Sequence, residues 1–511
     1  MNDSFFPLLS FLIALPMSGA ILISACRQIS VAKLFALVTA VLELMLTVIA
    51  VKQFDPESVR FQLTERYAAI PAFNMEFFVG IDGFSVLLLP MTAIVMLSVI
   101  LASWQSTSSF GRFHFVLLLL LESAAMGIFT ALDMALFFIC WELTLLPLFI
   151  LISTWGIGPK RRYAALKYTL LMLMGSAPIL VAIILLVINH VTVSGGSIPG
   201  DLAFSYPLLL QTAAPESLQS RVFVLFFVGF AINAPLFPFH TWLPTVTMEG
   251  PAPLTAIVIG IKLGIFGIIR FAMPLAPSAA VQYSWMLGII GAITLIYCSL
   301  IALKQSNLQR LLAYVSISHV GLVMIGLSTL TVQGIQGAIM TMANFALVFG
   351  SLMLLAGLLH HRLGSTDLAY LGGITKLMPR LTSCYFIFVL AIIAMPGTVG
   401  FPAELLMVIG TLLAHPSLVL IITAGAVLNA ATLLSLTRHA FLRPMTNMNL
   451  NPVQDLSRRE LTLLGVPAIL AVLFGFFPNS VLNINKKTAE VWLSRFVEQP
   501  DSENRDFSGL N

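Results

Sequence analysis

Apolar residues fill most of this chain, and polar ones come in short interruptions at fairly even intervals. Runs of about 20 apolar residues recur from end to end, each long enough to cross the hydrocarbon core of a bilayer as a helix. Fourteen such runs can be marked, at about 5–25, 31–51, 81–103, 113–131, 133–153, 165–190, 221–240, 252–272, 285–303, 310–329, 334–358, 381–410, 417–441 and 460–482. The apolar positions are continuous rather than alternating, which excludes a transmembrane β-barrel. The pattern predicts an all-α polytopic membrane protein with about fourteen helices. The first run follows Met1-Asn2-Asp3-Ser4, which is acidic and has no basic residue, so it reads as a spanning helix rather than a secretory leader.

Two of the runs are interrupted. Phe230–Thr245 carries Pro235, Pro238 and Pro244, and Met395–Leu406 carries Pro396, Gly397, Gly400 and Pro402. Proline removes a backbone donor and clashes with the preceding turn. A helix broken at membrane depth persists only where protein or water satisfies the freed carbonyls. These are the seventh and twelfth runs, five apart, which predicts two five-helix repeats around an ion path. The repeats would be residues 111–275 and 276–445, and an odd number of helices in each inverts one against the other. Residues 1–110 then supply helices 1–3, and 446–511 supply the last helix and a tail. The longest loops predicted outside, 52–80 and 191–220, are too short for a soluble domain.

Only 9% of the residues are charged, against about 25% in a soluble protein, so each charge is informative. With the N-terminus outside, the inside loops hold sixteen of the 26 Lys and Arg, the outside loops five and the C-terminal tail four. This bias puts both termini outside. The remaining one is Lys262, alone within the apolar run from Pro253 to Arg270. A lysine at that depth costs about 2.5–3.5 kcal/mol on insertion scales, and it marks a partner or a wet cavity.

Other ionisable groups share that depth. Glu142 lies in the run from Met134 to Ile152, five residues before Pro147, which frees the carbonyl of Leu143. His319 lies in Leu311–Leu330, with Tyr314, Ser316 and Ser318 as hydroxyl neighbours. Glu404 follows the second interruption. Acid, base and imidazole at mid-membrane point to a proton path. The competing reading of each is a hydrogen-bonded packing residue. Glu122 extends the set, His240 stands where it can bond freed carbonyls or water, and Glu43 reads equally well as a packing contact. His360, His361, His415 and His439 fall near the ends of runs and read as solvated.

The four cysteines are isolated and read as small buried residues rather than metal or cluster ligands. No nucleotide-binding glycine motif, haem or flavin signature is present, so no cofactor and no metal is expected on this chain, and nothing points to nucleic acid.

Several segments together resemble one family. WELTLLPLFILISTWG (141–156), RRYAALKYTLL (161–171), PLFPFHTWLP (235–244), GIKLGIFGIIRF (260–271), QRLLAYVSISHVGLVMIG (309–326) and MPGTVGFPAELL (395–406) are similar to the antiporter-like M subunits, or chain 4 type, of NADH-quinone oxidoreductase, the complex I family. The tail, 456–482, is similar too. The resemblance implies fourteen helices in two inverted repeats. It implies that Glu142, Lys262, His319 and Glu404 occupy the family's proton-path positions, driven by energy from quinone reduction elsewhere in the complex. The chain would then be a non-redox subunit of a translocase in a bacterial inner or thylakoid membrane. Its partners would be L-like and N-like antiporter-type chains, lipid and, indirectly, a redox arm.

Three departures stand out. The family usually carries lysine where Ala231-Ile-Asn-Ala-Pro235 places Asn233, and often histidine where this chain has Asn344. Its usual LPDAH reads Leu243-Pro-Thr-Val-Thr247 here. Asparagine does not titrate, although it can hold water. An Mrp-type cation/proton antiporter or inorganic-carbon-uptake assembly is therefore an alternative. A scaffold with a dead channel is a third.

Overall fold

The computed structural model describes residues 6–104, 110–198, 201–444 and 454–497. Among these, twelve helices are long and apolar enough to cross a membrane. The two predicted spans missing from the twelve are the seventh and the twelfth, the pair that proline breaks. The bundle is helical, as the apolar runs require.

In chain order, the peripheral pair α1 (Leu8–Ala25) and α2 (Ile29–Gln53) precede a hairpin of β1 (Gln62–Ile70) and β2 (Met75–Ile81). Then come α3 (Ser85–Ala102), α4 (Gly111–Thr130), α5 (Met134–Trp155) and α6 (Arg161–Ser194). α7 (Glu216–Asn233) stops at the first break and α8 (Trp242–Glu249) resumes after it. α9 (Ala252–Gly260) and α10 (Leu263–Gly267) follow. The next helices are α11 (Ser284–Leu303), α12 (Leu308–Ser328) and α13 (Val332–Leu363). α14 (Pro379–Ile392) and α15 (Gly400–Ala414) flank the second predicted break. α16 (Pro416–Leu442) and α17 (Arg458–Phe476) complete the spans, and α18 (Asn479–Val497) ends the described chain.

The helix α12 is the centre of the bundle, with every residue from Leu311 to Ser328 buried. Asn307 starts it by accepting from the backbone N–H groups of Gln309 and Arg310, two donors that a helix start leaves unpaired. By contrast only a third or so of the residues of α1, α2, α16 and α17 are buried, and these helices present leucine, isoleucine and phenylalanine outward.

Segments predicted to share a side bond to one another. At one end of the bundle, Glu65 accepts from the N–H of Leu9 at 2.8 Å, Asn74 donates to the Leu202 carbonyl, and Trp492 donates to the Ile269 carbonyl. At the opposite end, Gly158 donates to the Glu249 carbonyl, Leu308 to the Thr366 carbonyl, and Arg362 pairs with Glu460 at 2.7 Å.

Three features differ from the sequence expectation. The loop at 52–80 contains the two-stranded hairpin, so the fold is not helical throughout. The run predicted to 482 stops at Phe476, and α18 lies at the hairpin end of the bundle with Val481, Asn485, Ala489 and Trp492 buried, an amphipathic spacing. Third, the Lys262 run is not one helix. Ile261 (φ −101°, ψ 109°) and Lys262 (φ −99°, ψ 67°) leave helical geometry between α9 and α10. No proline causes this break. α10 instead docks hard on the end of α7: a Cβ on Gly264 would lie 2.5 Å from the Ala234 nitrogen and 2.6 Å from the Phe230 carbonyl. Glycine permits that approach, and the approach pulls α10 off the axis of α9.

Candidate functional site

The break puts Lys262 at the heart of the molecule, 4% exposed. Its Nζ has no hydrogen-bond partner among the described residues; it faces the ring of Phe345, 4.8 Å from the centroid. A cavity of about 10 Å³ beside it, lined in part by Thr92, Gly260 and Met342, has room for about one water. A second cavity of about 40 Å³, with room for about three, lies among Thr144, Tyr168, Asn233 and Trp242. Ile261 lines both, so the unwound turn stands between two places where water fits.

Glu142 sits two residues before a kink in α5 at Thr144. It is half-buried, Oε1 lacks a partner, and Tyr168 lies within its electrostatic reach. Tyr168 packs edge-on to Trp242, so the second cavity lies on the Glu142 side of the break.

On the other side stands a π-helical turn, Phe345–Phe349, in the middle of α13. Such turns insert one extra residue and often mark functional positions. Phe345 and Phe349 pack with centroids 5.1 Å apart, and Phe349 meets the His319 ring edge-on at 5.2 Å. His319 Nε2 lies 3.5 Å from Glu404 Oε1, and Nδ1 lies 2.9 Å from the Val315 carbonyl. A carbonyl only accepts, so this contact places a proton on Nδ1 and leaves Nε2 free to exchange one with Glu404. Ser318 donates to the Asn429 carboxamide at 3.1 Å, and so does Ser299 at 3.0 Å. The Ser316 hydroxyl is buried without a partner.

Glu142 and Glu404 are thus partly exposed, on α5 and α15, while Lys262 and His319 are buried between them. The structure links three of the four, Lys262 to His319 through two phenylalanines rather than polar groups and His319 to Glu404 directly, whereas Glu142 approaches the break only by way of Tyr168 and the second cavity.

These features fit a known fold. Residues 131–429 match the family described as NADH:quinone oxidoreductase/Mrp antiporter, transmembrane. The chain belongs to that family. It is 33% identical over 463 residues to NADH-quinone oxidoreductase subunit M of Rickettsia typhi, covering 90% of this chain and 92% of that one. It is 34% identical over 506 residues to NAD(P)H-quinone oxidoreductase chain 4 of a Nostoc species, covering 96% and 92%. A chain of the respiratory complex I from Thermus thermophilus superposes with a TM-score of 0.86 at 27% identity, over 96% of this chain and 99% of that one. A chain of the Mrp complex from a Dietzia species gives 0.84 at 18%, over 96% and 98%, a likeness of fold.

Within this family member, the other sequence candidates fall into two groups. Asn233 joins the Lys262 break: its Oδ1 accepts from the Gly264 N–H at 2.9 Å. Asn344 immediately precedes the π turn, and its Oδ1 is buried without a partner. His240 lies in the first break against Phe237, Tyr297 and Tyr314, so it reaches the start of the α12 side by ring contacts. Glu122 stands apart from these contacts. It is fully buried on α4, close enough to Glu43 on α2 to repel it, and no carboxyl oxygen of either has a hydrogen-bond partner among the described residues. Glu43 is therefore no ordinary packing contact.

Sequence reasoning missed five residues. Phe345 and Phe349 looked like ordinary core residues, and only the π turn distinguishes them. Asn429 is an isolated amide in an apolar run, and that polarity was a usable signal. His114, buried against Ser103 at 3.2 Å with Nδ1 unpartnered, carried the same signal. Arg270, which ends the Lys262 run, pairs with Asp82, its guanidinium held between the rings of Phe61 and Tyr206.

Proposed function

We propose that this chain is a proton-translocating membrane subunit of a complex I-type quinone oxidoreductase. The observation that carries this is a buried lysine set in an unwound turn between two water-sized cavities, joined through two rings to the His319–Glu404 pair, with Glu142 near the larger cavity through Tyr168. Lysine and histidine release and regain protons readily when buried. Carboxylates that reach the surface of α5 and α15 can pass charge to neighbouring chains. In this reading L-like and N-like antiporter-type subunits sit at those two surfaces, and the redox arm acts through them. The chain itself moves protons and handles no electrons.

The breaks after Asn233 and before Gly400, and the partly exposed carboxylates near them, support repeats over 111–275 and 276–445. The basic inner loops support placing the hairpin and α18 on the outer side of the membrane, together with the N-terminus.

The test is pumping by the intact complex in proteoliposomes, with quinone reduction measured in parallel. Lys262→Met should remove most proton uptake, and unchanged uptake would sink this reading. The chains that copurify decide the assembly: quinone-site and iron–sulfur subunits support it, whereas a cation-exchange or carbon-uptake set without them overturns it.

A further inference from the structure

In a continuous helix the N–H of Gly264 would donate to the carbonyl of Gly260, four residues earlier. It does not do so here. α9 closes with the N–H of Ile261 on the Ile257 carbonyl at 2.8 Å, and α10 opens with Phe266 on the Lys262 carbonyl at 3.2 Å. The Gly264 N–H between them points at Asn233 Oδ1, 2.9 Å away. One donor therefore has two possible acceptors: Gly260, which would close the break, or Asn233, which holds it open.

The rest of the side chain fits this role. Asn233 is the last residue of α7, where the helix has just ended. Its Nδ2 rests on the Met172 sulfur at 3.4 Å, a soft acceptor that fixes which way the carboxamide faces. Gly264 and Ala234 are in backbone contact, so the amide reaches its target with no gap to fill. An acceptor is what the position needs. Lysine offers only donors and would leave the Gly264 N–H to find another partner.

We propose that Asn233 is a positioning residue for Lys262: it caps α10 and holds the helix unwound at Ile261–Lys262, which keeps the lysine beside the smaller cavity and Ile261 between the two. The inference rests on the proton-path reading above for its functional consequence, but the geometric half stands without it. A neutral hydrogen bond of about 1 kcal/mol shifts a two-state equilibrium about fivefold. The open break should be disfavoured by that factor when the acceptor is lost.

The experiment compares three variants in the intact reconstituted complex. Asn233→Leu removes the acceptor, Asn233→Lys replaces it with a donor, and Asn233→Asp keeps an acceptor oxygen in place. Protons moved per quinone reduced should fall in the first two, by up to about fivefold, and hold in the third. Pumping at the parental ratio by Asn233→Lys or Asn233→Leu overturns the proposal, and so does an Asp variant that falls as far as Leu. If the Leu variant does not assemble, the Lys and Asp pair decides. The electron-microscopy trace of residues 257–267 in the Asn233→Lys complex separates this claim from the proton-path reading. A break that stays fully open there overturns the cap, whatever happens to pumping. Lys262→Met that pumps normally overturns the path and leaves the cap to be judged by that trace.

Discussion

The two halves of the site treat their charges in opposite ways. On the Glu142–Lys262 side, Nζ and Oε1 are left without hydrogen-bond partners, beside cavities that fit one to three waters. On the His319–Glu404 side, imidazole, carboxylate and the Ser318–Asn429–Ser299 amide network are mutually engaged. An unpartnered buried charge is costly, and a satisfied network is stable and stiff. The first side is therefore where stability has been given up for exchange, and the second is where structure and exchange coincide. Two phenylalanines separate them.

Substitution can break this contrast. Lys262→Met should have the largest effect, cutting proton uptake at least about tenfold. It should also make the complex more stable by about 1–3 kcal/mol, because it removes an amine that nothing satisfies. Uptake assays and thermal midpoints on one preparation check both, and a fall in stability would mean that Lys262 has a partner in the assembled complex. His319→Leu should move the two readouts together: uptake falls, and stability falls by about 1–3 kcal/mol, since the Val315 and Glu404 contacts go with it. If stability instead rises, the two sides do not differ as described.

Phe349→Leu probes the divide. A smaller side chain beside His319 opens room for water toward Lys262, so passive proton leak should rise about threefold to tenfold. Dissipation of an imposed pH gradient measures it, and a tight membrane would show that the rings are not the barrier. Ser299→Ala should matter least. It costs about 1 kcal/mol in thermal stability and leaves uptake unchanged.

Much of this was legible in the sequence, for reasons that differ by residue. Helix number follows from run length, which the bilayer enforces without help from packing. Pro235 and Pro396 announced their breaks because proline acts locally. The break at Lys262 had no local sign. It depends on Gly264 meeting Ala234, a contact between segments 30 residues apart in sequence. The hairpin was hidden because Gln62–Ile81 lacks clean alternation and its register slips twice. The four ionisable positions could be picked out because each is dear at that depth, but their pairing could not, since Phe345 and Phe349 are indistinguishable from other core residues until the π turn is seen.

One close approach sets these local devices side by side. Gly260 ends the half-helix before Lys262 and Gly350 follows the π turn; a Cβ on Gly260 would lie 3.6 Å from the Cα of Gly350 and from that of Ala346. A methyl group would still fit there at ordinary contact distance, beside the Val95 side chain. The unwound turn and the aromatic pair therefore share a boundary without being locked together. A proton arriving at the lysine is then felt at the imidazole as a change in field rather than as a push.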